Sequence, residues 1–188
     1  MANRRLFVAV RPSEEVVARL DADLDTGVGA LGRGVRAIPA DDWHVTLAFF
    51  AKVDDDDVDR LRLALAMAGG RVVPFEFEFA GAGAFPLPRR ARVLWVGVGH
   101  GSDRLAELAT TIEAETAKRG FPGEDREFSA HMTVARFREP ADISDFVSEV
   151  GARIASAAVR VDELVLYESR TRRSGATYDV VDTFPLRT

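Results

Sequence analysis

Two stretches of the sequence repeat a pattern that is unusual within an apolar strand. "WHVTLAFF" places Thr46 two residues after His44, and "SAHMTVARF" places Thr133 two residues after His131. The chain has only 3 histidines, and two of them occur in the same His-x-Thr pattern, 87 positions apart (44 and 131). Side chains at i and i+2 of a strand project from the same face. The pattern therefore predicts two strands, each with a polar and an apolar face, one in each half of the chain.

The segments around these strands predict an α+β fold, because strand-like and helix-like runs alternate along the chain. The strand-like runs lie at 4–10, 35–39, 43–53, 74–79, 92–99, 129–137, 157–169 and 177–186. The helix-like runs lie at 12–26, 58–68, 102–120 and 142–150. Their order indicates a rough internal duplication, and no low-complexity linker separates the halves. We expect one two-lobed domain over residues 1–188.

Some local features predict finer detail. The acidic run 54–57 should cap the helix that follows it, and either Ser102 or Asp103 should cap the helix over 102–120. The Gly- and Pro-rich segment 81–91 should break the chain between two strands, and segment 170–176 should form the loop between the two closing strands. We expect no metal at the acidic run, since nothing else nearby is a ligand.

Composition and charge limit the possible partners. Apolar residues make up 47% of the chain, enough for a core, and the net charge of −5 argues against a broad grip on a long polyanion. A small phosphate ligand held by a local arginine cluster remains compatible with this charge. The absence of cysteine excludes disulfides, thiolate metal sites and a cysteine nucleophile, and favours a cytoplasmic location. The apolar run near the N-terminus is too short for a signal peptide or a membrane span, so we expect no membrane association.

Two histidines and two threonines on neighbouring polar faces suit phosphate chemistry. An imidazole titrates near neutrality, so one histidine can take a proton from the attacking oxygen while the other gives one to the leaving oxygen. The threonine hydroxyls can donate to the non-bridging phosphate oxygens. The alternative, a two-histidine metal site, needs at least a third ligand, and threonine is a poor one. We therefore expect no metal and no cofactor.

These motifs resemble the two-histidine phosphoesterases, and in particular the bacterial RNA 2′,3′-cyclic phosphodiesterases, also called 2′-5′ RNA ligases. "WHVTLAFF" and "HMTVARF" are similar to the two signature motifs of that family. "RLFVAV", "FPLPRRARVLWVGV" and "LYESRTRRSGATYDVVDTFPL" resemble its first strand, middle strand pair and closing hairpin. The chain has Ala51 where the family often has glycine, and Ala130 where it often has proline, and neither position touches a reacting group.

The resemblance implies a fold, an activity and a set of site residues. The fold would be a two-lobed, pseudo-twofold arrangement of antiparallel sheets with outer helices around a central cleft. His44 would be the proton donor and His131 the proton acceptor, and Thr46, Thr133 and Arg136 would bind substrate. The enzyme would open a terminal 2′,3′-cyclic phosphate on RNA or a nucleotide to give a 2′-phosphate, with weak 2′-5′ ligation as a side activity. We expect a monomer.

Several further residues admit two interpretations. In a regular strand Arg136 would not share the face of His131, so it is equally a phosphate contact or a surface residue at the strand end. The aromatic residues Phe7, Phe49 and Tyr167 could stack on a base, although strand aromatics more often belong to the core. Arginines 170, 172 and 173 could approach a phosphate, or could lie at a solvated hairpin tip. We interpret His100 as a surface-loop residue.

Two other functions remain open from the sequence. The same scaffold could serve as a non-catalytic nucleotide- or RNA-binding module, although binding alone does not need a matched acid and base. It could also hydrolyse another small cyclic phosphate or a 2′-5′ oligoadenylate. Turnover of a 2′,3′-cyclic mononucleotide separates the first possibility from catalysis, and a substrate panel addresses the second.

Overall fold

The computed structural model describes residues 3–25, 28–32, 34–123, 127–154, 158–172 and 175–187. Within them the four α-helices are α1 (Glu14–Asp25), α2 (Val58–Gly69), α3 (Ser102–Ala117) and α4 (Ser144–Arg153). The ten strands are β1 (Asn3–Val10), β2 (Val35–Ala37), β3 (Val45–Asp54), β4 (Phe75–Phe77), β5 (Phe79–Phe85), β6 (Ala91–Val98), β7 (His131–Ala141), β8 (Val159–Val161), β9 (Glu163–Arg172) and β10 (Gly175–Pro185). No described helix is long and apolar enough to cross a membrane.

One antiparallel sheet joins both halves of the chain. Its strand order is β10-β9-β1-β3-β7-β6-β5, with β2 also paired to β7, while β4 and β8 form a separate two-stranded sheet. On either side of the boundary between β3 and β7, strands β3, β1 and β9 correspond to β7, β6 and β5, and β10 adds a further strand at one edge. Strands β3 and β7 pair at Val45 and Met132, the residues that directly follow His44 and His131. The predicted α+β class and pseudo-twofold antiparallel arrangement are therefore confirmed, with both halves sharing a single continuous sheet.

The core lies between the four helices and one face of this sheet. Alternate residues of β1 point into it, so that Leu6 and Val8 are fully buried. Each helix contributes its apolar stripe to the same cluster, as α1 does with Val16, Leu20 and Leu24. The opposite face of the sheet carries the polar side chains of the two signature strands. The helices thus support the sheet from one side and leave its other side open for a cleft.

A bulge interrupts each signature strand at the same place. Along β3, Thr46 pairs with Ala9 but Ala48 pairs with the preceding residue of β1, so Leu47 is the extra residue. Along β7, Thr133 pairs with Trp95 but Ala135 already pairs with Leu94, so Val134 is the extra residue. A bulge shifts the in–out alternation by one position. The residue five positions after each histidine therefore returns to the open face of the sheet.

Two predicted strands each divide between the two sheets. Segment 74–79 breaks at Glu78, whose backbone N–H donates to the carbonyl of His100 at 3.0 Å, so that β4 pairs with β8 and β5 joins the large sheet. Segment 157–169 divides in the same way into β8 and β9. Alternation of apolar and polar residues predicts a strand but does not say which sheet it joins.

The non-strand segments predicted at 81–91 and 170–176 are both shorter in the structure, because strands extend into them. Strand β5 continues to Phe85, because Gly83 lets the indole of Trp95 lie against the backbone, where an added Cβ would come within 2.2 Å of the ring. Strand β9 reaches Arg172 and strand β10 begins at Gly175, so their pairing extends through most of the predicted loop. Gly83 thus serves close packing rather than a turn.

The predicted helix caps were wrong. Asp55–Asp57 form a 3₁₀ turn before α2, and no side chain caps that helix. The carboxylate of Asp57 instead pairs with Arg60 at 3.0 Å. The residue before α3 is Gly101 with a φ of 78°, in place of the predicted Ser102 or Asp103. Acids in a first turn still oppose the helix dipole without forming a capping hydrogen bond.

Candidate active site

The two His-x-Thr pairs meet at the centre of the open face. Because β3 and β7 are antiparallel and pair at Val45 and Met132, His44 lies next to Thr133 and Thr46 lies next to His131. All four side chains line one cleft with a volume of about 360 Å³. The structure therefore brings together the four residues that the sequence pattern singled out from separate halves of the chain.

Each histidine is held by the same backbone contact. The Nδ1 atom of His44 lies 2.6 Å from the carbonyl of Asp42, and that of His131 lies 2.7 Å from the carbonyl of Ser129. A carbonyl can only accept, so Nδ1 carries the proton in both rings and Nε2 is the nitrogen assigned to proton exchange with a substrate. The tautomer is inferred from this hydrogen bond.

Aromatic rings enclose His44. Phe7 stacks on the imidazole with a centroid separation of 4.8 Å, Tyr167 stacks beyond it, and Tyr178 meets it edge-on at 5.3 Å. Burial among these rings lowers the pKa of His44 from 6.5 to about 4. The hydrogen bond with Asp42 opposes this shift, and the nearby positive charges of Arg11 and Arg136 add to it. His44 is therefore neutral at pH 7 in the free protein.

The surroundings of His131 are different. Phe85 meets its ring edge-on at 4.9 Å, and Trp95 lies tilted with a centroid separation of 6.2 Å. Gly97, its partner on β6, presents no side chain. His131 is accordingly flanked by two rings and by bare backbone, whereas His44 is stacked against a layer of aromatic rings.

The cleft is basic although the chain is acidic overall. Arg5, Arg36 and Arg136 line it, and no described residue of its lining is acidic. The bulge at Val134 places Arg136 on this face, where a regular strand would turn it away. The three arginines thus concentrate positive charge in the cleft of a chain whose net charge is −5.

Other residues considered from sequence take different places. Phe7 and Tyr167 are only 3% and 5% exposed, and pack beneath His44. Phe49 lines the cleft, with the guanidinium of Arg5 5.4 Å above its ring. Arg170 forms ion pairs with Glu168 and Asp179, and His100 is exposed in the turn before α3. The side chain of Arg172 and all of Arg173 lie outside the described residues.

Sequence reasoning missed several lining residues, namely Arg5, Arg36, Ser169 and Tyr178. They come from four different strands, and no motif connects them to the histidines. Only the strand order places β2, β9 and β10 near the signature strands. The described residues contain no group of three or more His, Asp or Glu side chains suited to a metal ion.

Comparison with known sequences agrees with this geometry. The sequence model of the 2′-5′ RNA ligase superfamily matches residues 32–173, which include both signature strands. The chain belongs to this superfamily. The expectation drawn from the two motifs is thereby confirmed.

Curated proteins also resemble the chain at modest identity. The RNA 2′,3′-cyclic phosphodiesterase of Archaeoglobus fulgidus is 30% identical over 181 residues, which cover 96% of this chain and 99% of the relative. Those of Aeropyrum pernix and Aquifex aeolicus are 33% and 28% identical over 92 and 100 residues, or 47% and 52% of this chain. These two matches span about half of each relative, 52% and 53%.

Solved structures of other proteins share the fold. A Thermus thermophilus protein superposes with a TM-score of 0.78 at 24% identity, covering 97% of this chain and 98% of its own. Escherichia coli LigT, solved with 3′-AMP, superposes with a TM-score of 0.73 at 23% identity over the whole of both chains. At these identities the likeness concerns the fold.

Proposed function

We propose that this protein is a metal-independent RNA 2′,3′-cyclic phosphodiesterase that opens a terminal cyclic phosphate to a 2′-phosphate. The observation that carries the proposal is the pairing of two histidines and two threonines across the β3–β7 boundary in a basic cleft. The names of the three curated relatives support the substrate class.

The reaction divides between the two halves of the cleft. His131, through Nε2, takes a proton from the attacking water, and His44 gives a proton to O3′ as its bond to phosphorus breaks. The threonine hydroxyls donate to the non-bridging oxygens, whose negative charge grows in the transition state. Arg136 binds the same phosphate by a charge-assisted hydrogen bond. A ribose hydroxyl in place of water would give 2′-5′ ligation from the same groups.

The donor role of His44 depends on the substrate. With a pKa of about 4, His44 carries little proton at pH 7 in the free protein. A phosphate anion next to the ring favours the charged imidazolium and raises this pKa, while it also offsets the nearby positive charge of Arg136. His44 would therefore become a competent acid when the cyclic phosphate is bound.

The described residues that line the cleft offer two histidines and no carboxylate to a divalent cation, which favours acid–base catalysis over metal catalysis. We further propose that the protein acts as a monomer in the cytoplasm, a location that suits a chain without cysteine.

Turnover of adenosine 2′,3′-cyclic phosphate in the presence of EDTA tests the proposal. We expect hydrolysis at the same rate with and without chelator. Loss of activity in EDTA that zinc or manganese restores would replace the two-histidine mechanism by a metal-dependent one. Binding of the nucleotide without turnover, under conditions where the protein is folded, would make the protein a nucleotide-binding module.

A further inference from the structure

Two arginines face each other across a pair of strands at one end of the cleft. Arg36 on β2 and Arg136 on β7 are direct cross-strand partners, and both are exposed and line the cleft. Side chains in directly opposite positions have Cβ atoms about 5 Å apart, and like charges in such positions destabilise the sheet. The protein therefore holds two positive charges together at a position where folding gains nothing from their proximity.

Neither guanidinium is neutralised within the described part of the protein. Arg36 and Arg136 form no hydrogen bond or ion pair with another described residue, whereas nine other described arginines form ion pairs. The ion-paired arginines are Arg4, Arg60, Arg62, Arg71, Arg104, Arg119, Arg153, Arg160 and Arg170. No described acidic residue lines this end of the cleft. Asp42 lies near enough for the positive charge of Arg36 to oppose the rise in its pKa that burial causes, but no hydrogen bond or ion pair joins the two side chains.

The position of this pair relative to the histidines is fixed by the antiparallel strands. Arg136 lies three residues beyond Thr133 along β7, and Phe49 lies three residues beyond Thr46 along β3. Because the two strands run in opposite directions from their shared centre, Arg136 and Phe49 lie at opposite ends of the cleft. Arg36 lies at the same end of the cleft as Arg136, on the neighbouring strand β2.

We propose that Arg36 forms a second anion subsite, which binds the phosphodiester on the 5′ side of the terminal nucleotide. Arg136 lies between this subsite and the cyclic phosphate at the centre. The inference rests on the proposed function and specifies its substrate class: oligonucleotide ends are better substrates than cyclic mononucleotides. A phosphodiester carries one full negative charge and two non-bridging oxygens, which match the fork of a guanidinium.

The design of the test follows from the charge of that phosphodiester. Three substrates share a terminal adenosine 2′,3′-cyclic phosphate: the mononucleotide, the ApA dinucleotide, and an ApA dinucleotide in which a neutral methylphosphonate replaces the internal phosphodiester. Arg36→Gln removes the proposed contact. Arg19→Gln is the matched control, because Arg19 is exposed on α1, outside the cleft lining, and its replacement changes the net charge equally.

We expect Arg36→Gln to lower kcat/KM for the charged dinucleotide about tenfold, the usual scale of one hydrogen bond to a charged group. Its kcat/KM for the mononucleotide and the neutral dinucleotide should stay within about twofold of wild type, and Arg19→Gln should leave all three unchanged. The melting temperature of Arg36→Gln should stay close to that of wild type, because the variant removes both a like-charge contact with Arg136 and an attraction to Asp42.

Equal losses on all three substrates would overturn the subsite, because Arg36 would then act on the cyclic phosphate itself. The absence of any loss would also overturn it. If wild type hydrolyses none of the three, the proposed function has failed, and fluorescence anisotropy with labelled charged and neutral dinucleotides still tests the subsite. A preference for the charged dinucleotide that Arg36→Gln abolishes would then support it, and equal binding of both would contradict it.

Discussion

The two halves of the cleft carry the same motif in different surroundings. Each contributes a histidine, a threonine two residues later and a bulge after the threonine, and each histidine bonds through Nδ1 to the carbonyl two residues before it. His44 lies against the stacked rings of Phe7 and Tyr167, whereas His131 faces the bare backbone of Gly97. The repeated motif fixes where the imidazoles point, and the neighbouring strands decide their electrostatics.

The bulges make a second difference between the halves. The residue that each bulge returns to the cleft is Phe49 on β3 and Arg136 on β7. One end of the cleft thus offers an aromatic ring beneath Arg5, and the other end offers two unpaired guanidinium groups. Under the proposed function, this difference between the two ends would hold a nucleotide in one orientation, because its base and its phosphates are chemically different.

Removing either histidine should have the largest effect. We expect His44→Ala and His131→Ala each to lower kcat for cyclic phosphate hydrolysis by about 100-fold or more, because each supplies a proton transfer that the other cannot. The double variant should cost far less than the sum of the two free energies, since the two groups act as a unit. Circular dichroism checks that both variants fold. If either single variant kept a kcat near that of wild type, the replaced histidine would have no role in proton transfer.

A sulfur leaving group separates the roles of the two halves. A substrate with sulfur in place of O3′ needs little protonation to leave, because a thiol has a pKa of about 8.5. With this substrate His44→Ala should recover to within about tenfold of the wild-type rate, while His131→Ala should stay impaired. Recovery of His131→Ala instead would exchange the two assignments. Recovery of both or of neither would mean that the halves have no fixed roles.

The threonines should contribute comparably from both halves. We expect Thr46→Val and Thr133→Val each to lower kcat by about tenfold or more with little change in KM, because the hydroxyl meets oxygens whose charge rises in the transition state. Steady-state kinetics on the cyclic mononucleotide measures this. An increase in KM at constant kcat would make the threonine a ground-state binding group.

The lowered pKa of His44 should also make the free energy of unfolding depend on pH, which is the smallest of the expected effects. Unfolded His44 binds a proton near pH 6.5, but the folded protein binds it only near pH 4, so stability falls as the pH decreases from about 6.5 to about 4. The depression of this pKa corresponds to at most about 3 kcal/mol. Urea unfolding at pH 7 and pH 4.5 should show a larger loss for wild type than for His44→Gln, with His100→Gln as the control. Equal losses would mean that His44 titrates normally.

The sequence predicted that four residues would meet in the cleft, because the period of a strand is short and local. His44 and Thr46 share a face by spacing alone, as do His131 and Thr133, and the repeat indicated that the two strands act together. The orientation of Arg136 depended on a bulge that only the pairing with β6 reveals. The contribution of Arg36 depended on β2 pairing with β7, a contact 100 residues away along the chain (36 and 136) that no local pattern encodes.

The outer strands were less predictable for the same reason. The segments that contain β4 and β8 alternate like ordinary strands, yet they leave the main sheet to pair with each other. The glycines of β5 suggested a turn, but Gly83 is required by the indole of Trp95 on the neighbouring strand. Such choices are made by tertiary contacts, which override local propensity.

The product formed from a cyclic-phosphate end tests the central claim most directly. If two histidines on rigid strands hold the ring in one orientation, in-line attack can expel only one of its two oxygens. Phosphorus NMR of ApA 2′,3′-cyclic phosphate digested in EDTA should therefore show the cyclic signal replaced by a single monoester, the 2′-phosphate. A comparable mixture of 2′- and 3′-phosphates, or a cyclic signal that persists with folded protein, would contradict the account.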